Sequence, residues 1–91
     1  MPVTISLPSV LAKLADGAKV IPVEGTTVGE VVAQVAERYP GLAPRLRDGD
    51  GKPYPFVTFY LNDQDIRLTG GFDTPVRDGD EVTVVPAIAG G

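Results

Sequence analysis

The sequence contains neither cysteine nor histidine. Without cysteine it has no disulfide framework, no thiolate nucleophile and no cysteine-ligated metal site. Without histidine it lacks the commonest general base and the commonest metal ligand of proteins. We therefore expect no catalytic side chain and no metal site.

Long apolar runs and a basic excess are also missing. No run approaches the ~20 residues that a membrane helix needs, and no basic segment followed by an apolar core resembles a secretory signal. These absences predict a cytoplasmic protein with no membrane partner. Lys and Arg total 8 against 12 Asp and Glu, a net charge of −4. Because nucleic-acid binding requires a basic footprint, we expect no nucleic-acid partner.

The 91 residues suffice for one compact domain. Residues 3–7 alternate apolar and polar, the period of a half-buried strand. After an irregular connection, residues 19–23 predict a second strand. Pro22 cannot donate to a ladder, so this second strand should lie at an edge of the sheet.

The clearest helix is predicted between Thr27 and Tyr39. Thr27 as N-cap and Glu30 three residues later fit a capping box. Valine is a poor helix former, so packing on a sheet must hold this helix. Its apolar stripe consists of Val28, Val31, Val32, Val35 and Tyr39.

Acidic residues fall mainly in turns, and we predict that none of them holds a metal. Residues 42–55 form a long irregular segment containing Asp48-Gly49-Asp50-Gly51. Counted as an EF-hand loop, this run has Pro53 where glycine is needed and Phe59 where the bidentate glutamate is needed. Two consecutive turns explain it better. Five further acids also sit at turns, where aspartate commonly bonds the local backbone: Asp63, Asp65, Asp78, Asp80 and Glu81.

Three further strands are predicted in the second half. They comprise a β-rich run at 56–61, a short return strand carrying Ile66 and Leu68, and a final strand at 81–85. The complete order predicts an α+β roll, a mixed sheet of about five strands with one main helix on one face. The crossover is long enough for the first and last strands to lie parallel at the centre.

Side-chain alternation divides the later strands into two faces. The face toward the helix carries Val57, Phe59, Leu61, Val82 and Val84. An apolar patch on the opposite, open face is a candidate docking surface, although single exposed apolar residues are common. The residues assigned to partner docking are Phe56, Thr58, Tyr60, Thr83 and Val85.

The final strand leads into a small-residue tail. Pro86 offers no N–H and ends the ladder, which divides the chain into a domain, 1–86, and a tail, 87–91. Gly90 and Gly91 carry no Cβ, so the tail is narrow beside its last carboxylate, which is ionised at neutral pH.

This order of elements resembles the ubiquitin-like β-grasp. With its tail, the chain resembles the MoaD/ThiS family of sulfur carrier proteins across nearly its whole length. The segment after the helix and the stretch around Tyr60–Arg67 look most like carriers of a cysteine-forming branch. The features that carry the family resemblance are the strand Val3–Leu7, the helix Thr27–Tyr39, the turn Asp78-Gly79-Asp80-Glu81 and the tail Pro86-Ala87-Ile88-Ala89-Gly90-Gly91.

The resemblance implies a mechanism outside the carrier's own side chains. An E1-like, ATP-dependent activating enzyme would adenylate Gly91, and sulfur would replace AMP to give a thiocarboxylate. The carrier itself would bind no cofactor, and ATP would be used by the activating enzyme. A sulfur-accepting synthase, PLP-dependent in the cysteine branch, would take the sulfur, while molybdopterin, thiamine and secondary-metabolite acceptors stay open. The residues threading into the partner would be Ala87, Ile88, Ala89 and Gly90.

Other interpretations remain open. A ubiquitin-like modifier conjugated through Gly91 to lysines needs the same free diglycine. A β-grasp module that binds protein or RNA without tail chemistry would not need it. A hydrolase is the weakest alternative, because Ser6 and Ser9 have no histidine to activate them.

Overall fold

A computed structural model of the chain describes residues 2–86. Its centre is one five-stranded sheet in the order β2-β1-β5-β3-β4. The strands are β1 (Val3–Ser6), β2 (Val20–Val23), β3 (Val57–Leu61), β4 (Gln64–Asp65) and β5 (Glu81–Pro86). The α-helices are α1 (Ser9–Ala12), α2 (Val28–Arg38) and α3 (Ala43–Leu46), and short 3-10 helices cover Lys13–Ala15, Ile66–Leu68 and Gly71–Asp73.

The last strand occupies the middle of the sheet. It runs parallel to β1, with Ile5 opposite Val82, and antiparallel to β3, with Phe59 opposite Val84. The predicted parallel pairing of the first and last strands is therefore confirmed. Strand β2 is an edge strand, as Pro22 predicts, because its missing N–H costs nothing on the solvent side.

Helix α2 begins where the sequence predicts. The Thr27 hydroxyl accepts the Glu30 N–H at 3.2 Å. The return bond of a capping box shifts by one residue, since the Glu30 carboxylate accepts the Thr26 N–H at 2.8 Å and the Thr26 hydroxyl at 2.9 Å. These bonds, the backbone one first, hold the pKa of Glu30 below its ordinary value.

The valine stripe of α2 packs on the inner face of the sheet. Val28, Val31, Val32 and Val35 are buried in one cluster with Phe59, Val82 and Val84, and Tyr39 packs against it half-buried. Phe72 meets Phe59 edge-on, with ring centroids 5.3 Å apart. Burying one valine or phenylalanine contributes ~1.5–3 kcal/mol, so this face carries much of the folding free energy.

Two predictions need correction. The short return strand is present as β4 (Gln64–Asp65), antiparallel to β3. Ile66 and Leu68 lie beyond this strand in a 3-10 helix, because the Asp65 side chain accepts the Arg67 N–H at 2.9 Å and caps the turn. Ile66 is buried, whereas Leu68 is 82% exposed. The segment predicted to be irregular contains α3, whose flanking Leu42 and Leu46 are fully buried.

The acidic turns bond their own backbone. The Asp48 carboxylate accepts N–H groups from Asp50 at 2.9 Å and Lys52 at 3.1 Å. Asp80 accepts the Arg77 N–H at 2.9 Å. Over residues 2–86, no group of three or more acidic side chains is placed to hold a metal ion. Over the same residues, no helix is long and apolar enough to cross a membrane.

Candidate functional site

The candidate site begins where the central strand ends. Pro86 is the last residue of β5 and lies opposite Val57, the first residue of β3. The neighbours of β5 on both sides hold it in the most constrained position of the sheet. The predicted division at residue 86 stays a prediction, and the tail residues Ala87, Ile88, Ala89, Gly90 and Gly91 lie outside the described residues.

Four of the five predicted docking residues form two cross-strand pairs. Thr58 stands opposite Val85, and Tyr60 stands opposite Thr83. Val85 is 42% exposed, and the other three are half-buried. Alternation along β3 and β5 therefore places these side chains on the face away from the buried valines. Their role in docking stays a prediction.

Phe56 differs from the other four. It precedes β3 in a turn rather than lying on the strand. Its ring is 61% exposed and packs edge-on against Tyr54, with centroids 5.4 Å apart. Phe56 therefore lies at the end of the sheet, beside Pro86, and not on the open face of the sheet.

A shallow groove of about 170 Å³ lies beside Pro86. Val10 and Leu11 from α1 line one side, and Tyr54 and Phe56 line another together with the side chain of Arg45. The sequence analysis missed Val10, Arg45 and Tyr54 as site residues. They come from three separate segments, and no local pattern could have indicated that they meet at the end of β5.

An ion pair with shifted pKa values lies near this groove, since Arg67 lines a neighbouring pocket together with Tyr54 and Val57. Arg67 donates to the Asp65 carboxylate at 2.6 Å, and these hydrogen bonds lower the pKa of Asp65 and raise that of Arg67. Neither residue lines the groove beside Pro86. Among the described residues, none of those lining this groove is a serine, cysteine, histidine or carboxylate.

Comparison with known proteins assigns the class. The chain belongs to the ThiS family, whose sequence model matches residues 5–91. The resemblance to the MoaD/ThiS carriers is thereby confirmed, and so is the ubiquitin-like β-grasp fold.

The chain is also similar to individual proteins of known sequence or structure. The chain is 42% identical over 93 residues to the sulfur carrier protein CysO of Mycobacterium tuberculosis (strain ATCC 25618 / H37Rv), with 100% of both chains covered. It matches a chain in the crystal structure of the Amycolatopsis orientalis BexX/CysO complex at a TM-score of 0.89 and 39% identity, covering 98% of this chain and 99% of that one. It is also 38% identical over 68 residues to small archaeal modifier protein 3 of Haloferax volcanii, covering 75% of this chain and 73% of that protein.

Proposed function

We propose that this chain is a sulfur carrier that works as a protein co-substrate and not as an enzyme. The observation that carries the proposal is the full-length similarity to the sulfur carrier CysO, together with a family match that extends through residue 91. The lack of Cys and His fits this role, because the carrier needs no reactive side chain.

The proposed reaction takes place at Gly91. One carboxylate oxygen attacks the α-phosphorus of ATP on an activating enzyme, and pyrophosphate leaves. A sulfide donor then attacks the carbonyl carbon of the acyl adenylate, and AMP leaves. The product is a thiocarboxylate, formed without any redox step because sulfide replaces AMP at an unchanged oxidation level. Its sulfur is anionic and nucleophilic, as a thiolate is.

The partners follow from this chemistry. An E1-like enzyme binds ATP and accepts the tail residues Ala87 to Gly90, while the open face of β3 and β5 contacts its surface. The carrier holds no cofactor itself. We propose that the reaction takes place in the cytoplasm, which supplies the ATP that adenylation consumes.

We favour a PLP-dependent cysteine synthase as the sulfur acceptor. The similarity to CysO supports this choice. CysO of Amycolatopsis orientalis forms a complex with BexX. For the present chain, a biosynthetic acceptor of another kind is the alternative within the same mechanism.

Intact mass spectrometry tests the proposal. The wild-type chain is incubated with ATP, sulfide and each E1-like enzyme of the source genome in turn. We expect a mass increase equal to the replacement of one oxygen by sulfur, and none when ATP is omitted. A chain that stays unmodified with every one of these enzymes would overturn the proposal.

A protein modifier is the second candidate. The similarity to Haloferax volcanii small archaeal modifier protein 3 favours it. In this case the activated chain, added to a lysate, would give a ladder of conjugates through Gly91. If the chain is loaded with sulfur and no ladder of conjugates forms, the carrier function is supported and the modifier function is not.

A further inference from the structure

The two edges of the sheet, β2 and β4, differ in how much backbone they offer to another strand. Edge β4 consists of Gln64 and Asp65, and the chain then turns into the 3-10 helix Ile66–Leu68. Edge β2 is longer, because Val20–Val23 pair with β1 along their whole length. An edge strand of this kind is a template for pairing with another chain. Strand β2 is therefore the edge at which association by strand addition would start.

The register of β2 fixes which of its backbone groups face outward. The Leu7 N–H donates to the Lys19 carbonyl at 2.7 Å, so these two residues form a hydrogen-bonded pair of the antiparallel ladder. Such pairs recur at every second residue, which directs the backbone N–H and C=O of Ile21 toward β1. The backbone groups of Val20 and Pro22 consequently point away from the sheet, and Pro22 has no N–H to offer there.

The outward carbonyl of Pro22 is already bonded within the chain. Arg38, in the last turn of α2, donates from Nη1 to the Pro22 carbonyl oxygen at 3.3 Å. The Arg38 side chain also lines a groove along this edge together with Pro22, Val23 and Glu24. The proline ring therefore removes the donor of residue 22, and the arginine engages its acceptor.

We infer that Pro22 and Arg38 together close the β2 edge to strand addition, and that the partner they exclude is β2 of a second copy of this chain. The inference does not depend on the proposed function. Self-complementarity identifies the partner, because an antiparallel β2–β2 contact about a twofold axis at Ile21 pairs Val20 with residue 22 of the other copy. Proline removes half of the hydrogen bonds of such a contact, and the other half would end on the carbonyl that Arg38 engages.

The side chains on this edge suit the same partner. Val20 is 56% exposed and Pro22 is exposed as well, whereas Ile21 and Val23 between and beyond them are buried in the core. In paired copies, each Val20 would lie opposite residue 22 of the other copy and bury apolar surface of both. The edge is therefore apolar enough for a second copy, and its hydrogen-bonding groups are what keep that copy away.

One double variant opens the edge. Pro22→Val restores the N–H with a residue that favours strands, and Arg38→Ala frees the carbonyl of residue 22. Pro22→Val alone restores only the donor and leaves α2 unchanged. The matched control is Pro75→Val combined with Arg77→Ala, which makes the same exchanges at two other exposed residues. Circular dichroism melts establish that each variant is folded, and if the double variant does not fold, Pro22→Val alone decides.

Sedimentation equilibrium over a concentration series measures the mass, and hydrogen exchange by NMR measures protection of the Val20 amide. We expect the wild type and the control to stay near the monomer mass of 9.5 kDa, with a Val20 amide that exchanges freely. The double variant should approach twice that mass, and Pro22→Val should do so only at higher concentrations. In both associated variants, exchange of the Val20 amide should slow by about tenfold or more, because strand pairing removes it from water.

A folded double variant that stays monomeric, with a freely exchanging Val20 amide, would overturn the inference. A wild-type chain that is already dimeric with this amide protected would overturn it too, because the edge would then be open. Association that leaves the Val20 amide unprotected, or that the control with Pro75→Val and Arg77→Ala shares, would assign the contact to another surface and would equally count against a closed β2 edge.

Discussion

Neighbouring residues of β5 have opposite environments. Val82 and Val84 are buried beneath α2, whereas Thr83 and Val85 face away from the helix. The same alternation runs along β3, where Phe59 is buried and Thr58 and Tyr60 are half-exposed. One strand pair therefore carries stability on one face and a candidate partner surface on the other, so substitutions one residue apart should affect different properties.

The largest expected effect lies beyond the strand, at the chain end. Removing Gly91, or adding one residue after it, moves the reacting carbon by about 3.5 Å, while ~1 Å of misplacement already slows catalysis severely. Sulfur loading should be abolished, and Gly90→Val should block adenylation by clash or unfavourable φ. Intact mass and pyrophosphate exchange provide the measurement.

Thermal stability is the control for these tail variants. Their melting temperatures should match that of the wild type, because residues between Val3 and Val84 already form the hydrophobic core. Normal loading of the extended protein would contradict the carrier mechanism once mass spectrometry has shown that no protease trimmed it to Gly91.

The next largest effect concerns the helix side of the sheet. Val32→Asp places an unpaired charge in the core and should lower the free energy of unfolding by at least ~4 kcal/mol, enough to unfold a small domain. Gln34→Asp, on the polar side of the same helix, should cost about 1 kcal/mol or less. Circular dichroism melts measure both, and a cooperative wild-type-like melt of Val32→Asp would disprove the packing described above.

A third experiment compares the two faces directly. Val84→Thr buries a hydroxyl without a partner and should cost ~1–3 kcal/mol. The same change at the following residue, Val85→Thr, should leave the free energy of unfolding within about 0.5 kcal/mol of the wild-type value, because Val85 is 42% exposed. Urea titration measures the difference. Equal costs would mean that the two faces are not distinct.

The open face should matter for activation and not for folding. Tyr60→Ala combined with Val85→Ala should lower kcat/KM for adenylation about tenfold, since aromatic residues often dominate interface energetics. Thr4→Ala changes the open side of β1 and is the control. Unchanged activation by the double variant, with its melt intact, would remove the open face from the docking surface.

The smallest effect is a pH dependence at the start of α2. The pKa of Glu30 is lowered in the folded state because its carboxylate accepts the Thr26 N–H and hydroxyl. The stability that this carboxylate supplies is therefore present above its unfolded pKa and lost as the pH falls through the lower folded pKa. Wild type and Glu30→Gln should differ in Tm near neutral pH and converge in acid. A gap that persists at low pH would assign the effect to something other than the charge.

Local patterns in the sequence predicted much of this molecule. The period of the valines in 28–35 predicts a helix that the structure places at Val28–Arg38, and Pro22 predicts the edge strand. Both signals are local, because a helix stripe or a missing N–H is visible within a few residues. The same method failed at Leu68, where alternation suggested a strand but the Asp65 cap closed a 3-10 turn.

The groove beside Pro86 shows the limit of such reasoning. Val10, Arg45 and Phe56 are far apart in the chain, and they line one groove only because β5 ends between α1 and the turn before β3. A signal for α3 was present, since Pro44 stands in its first turn, a position that proline favours. No comparable signal pointed to Arg45 as part of a surface.

Residue types and spacing alone decided that this chain has no Cys or His chemistry, that one amphipathic helix must cover a mixed sheet, and that its last residues are narrow. These properties depend on composition and on periods of two and 3.6 residues, which need no knowledge of distant contacts. The tertiary structure decided which charges and apolar side chains surround Pro86, because that depends on strand order and register across the whole sheet.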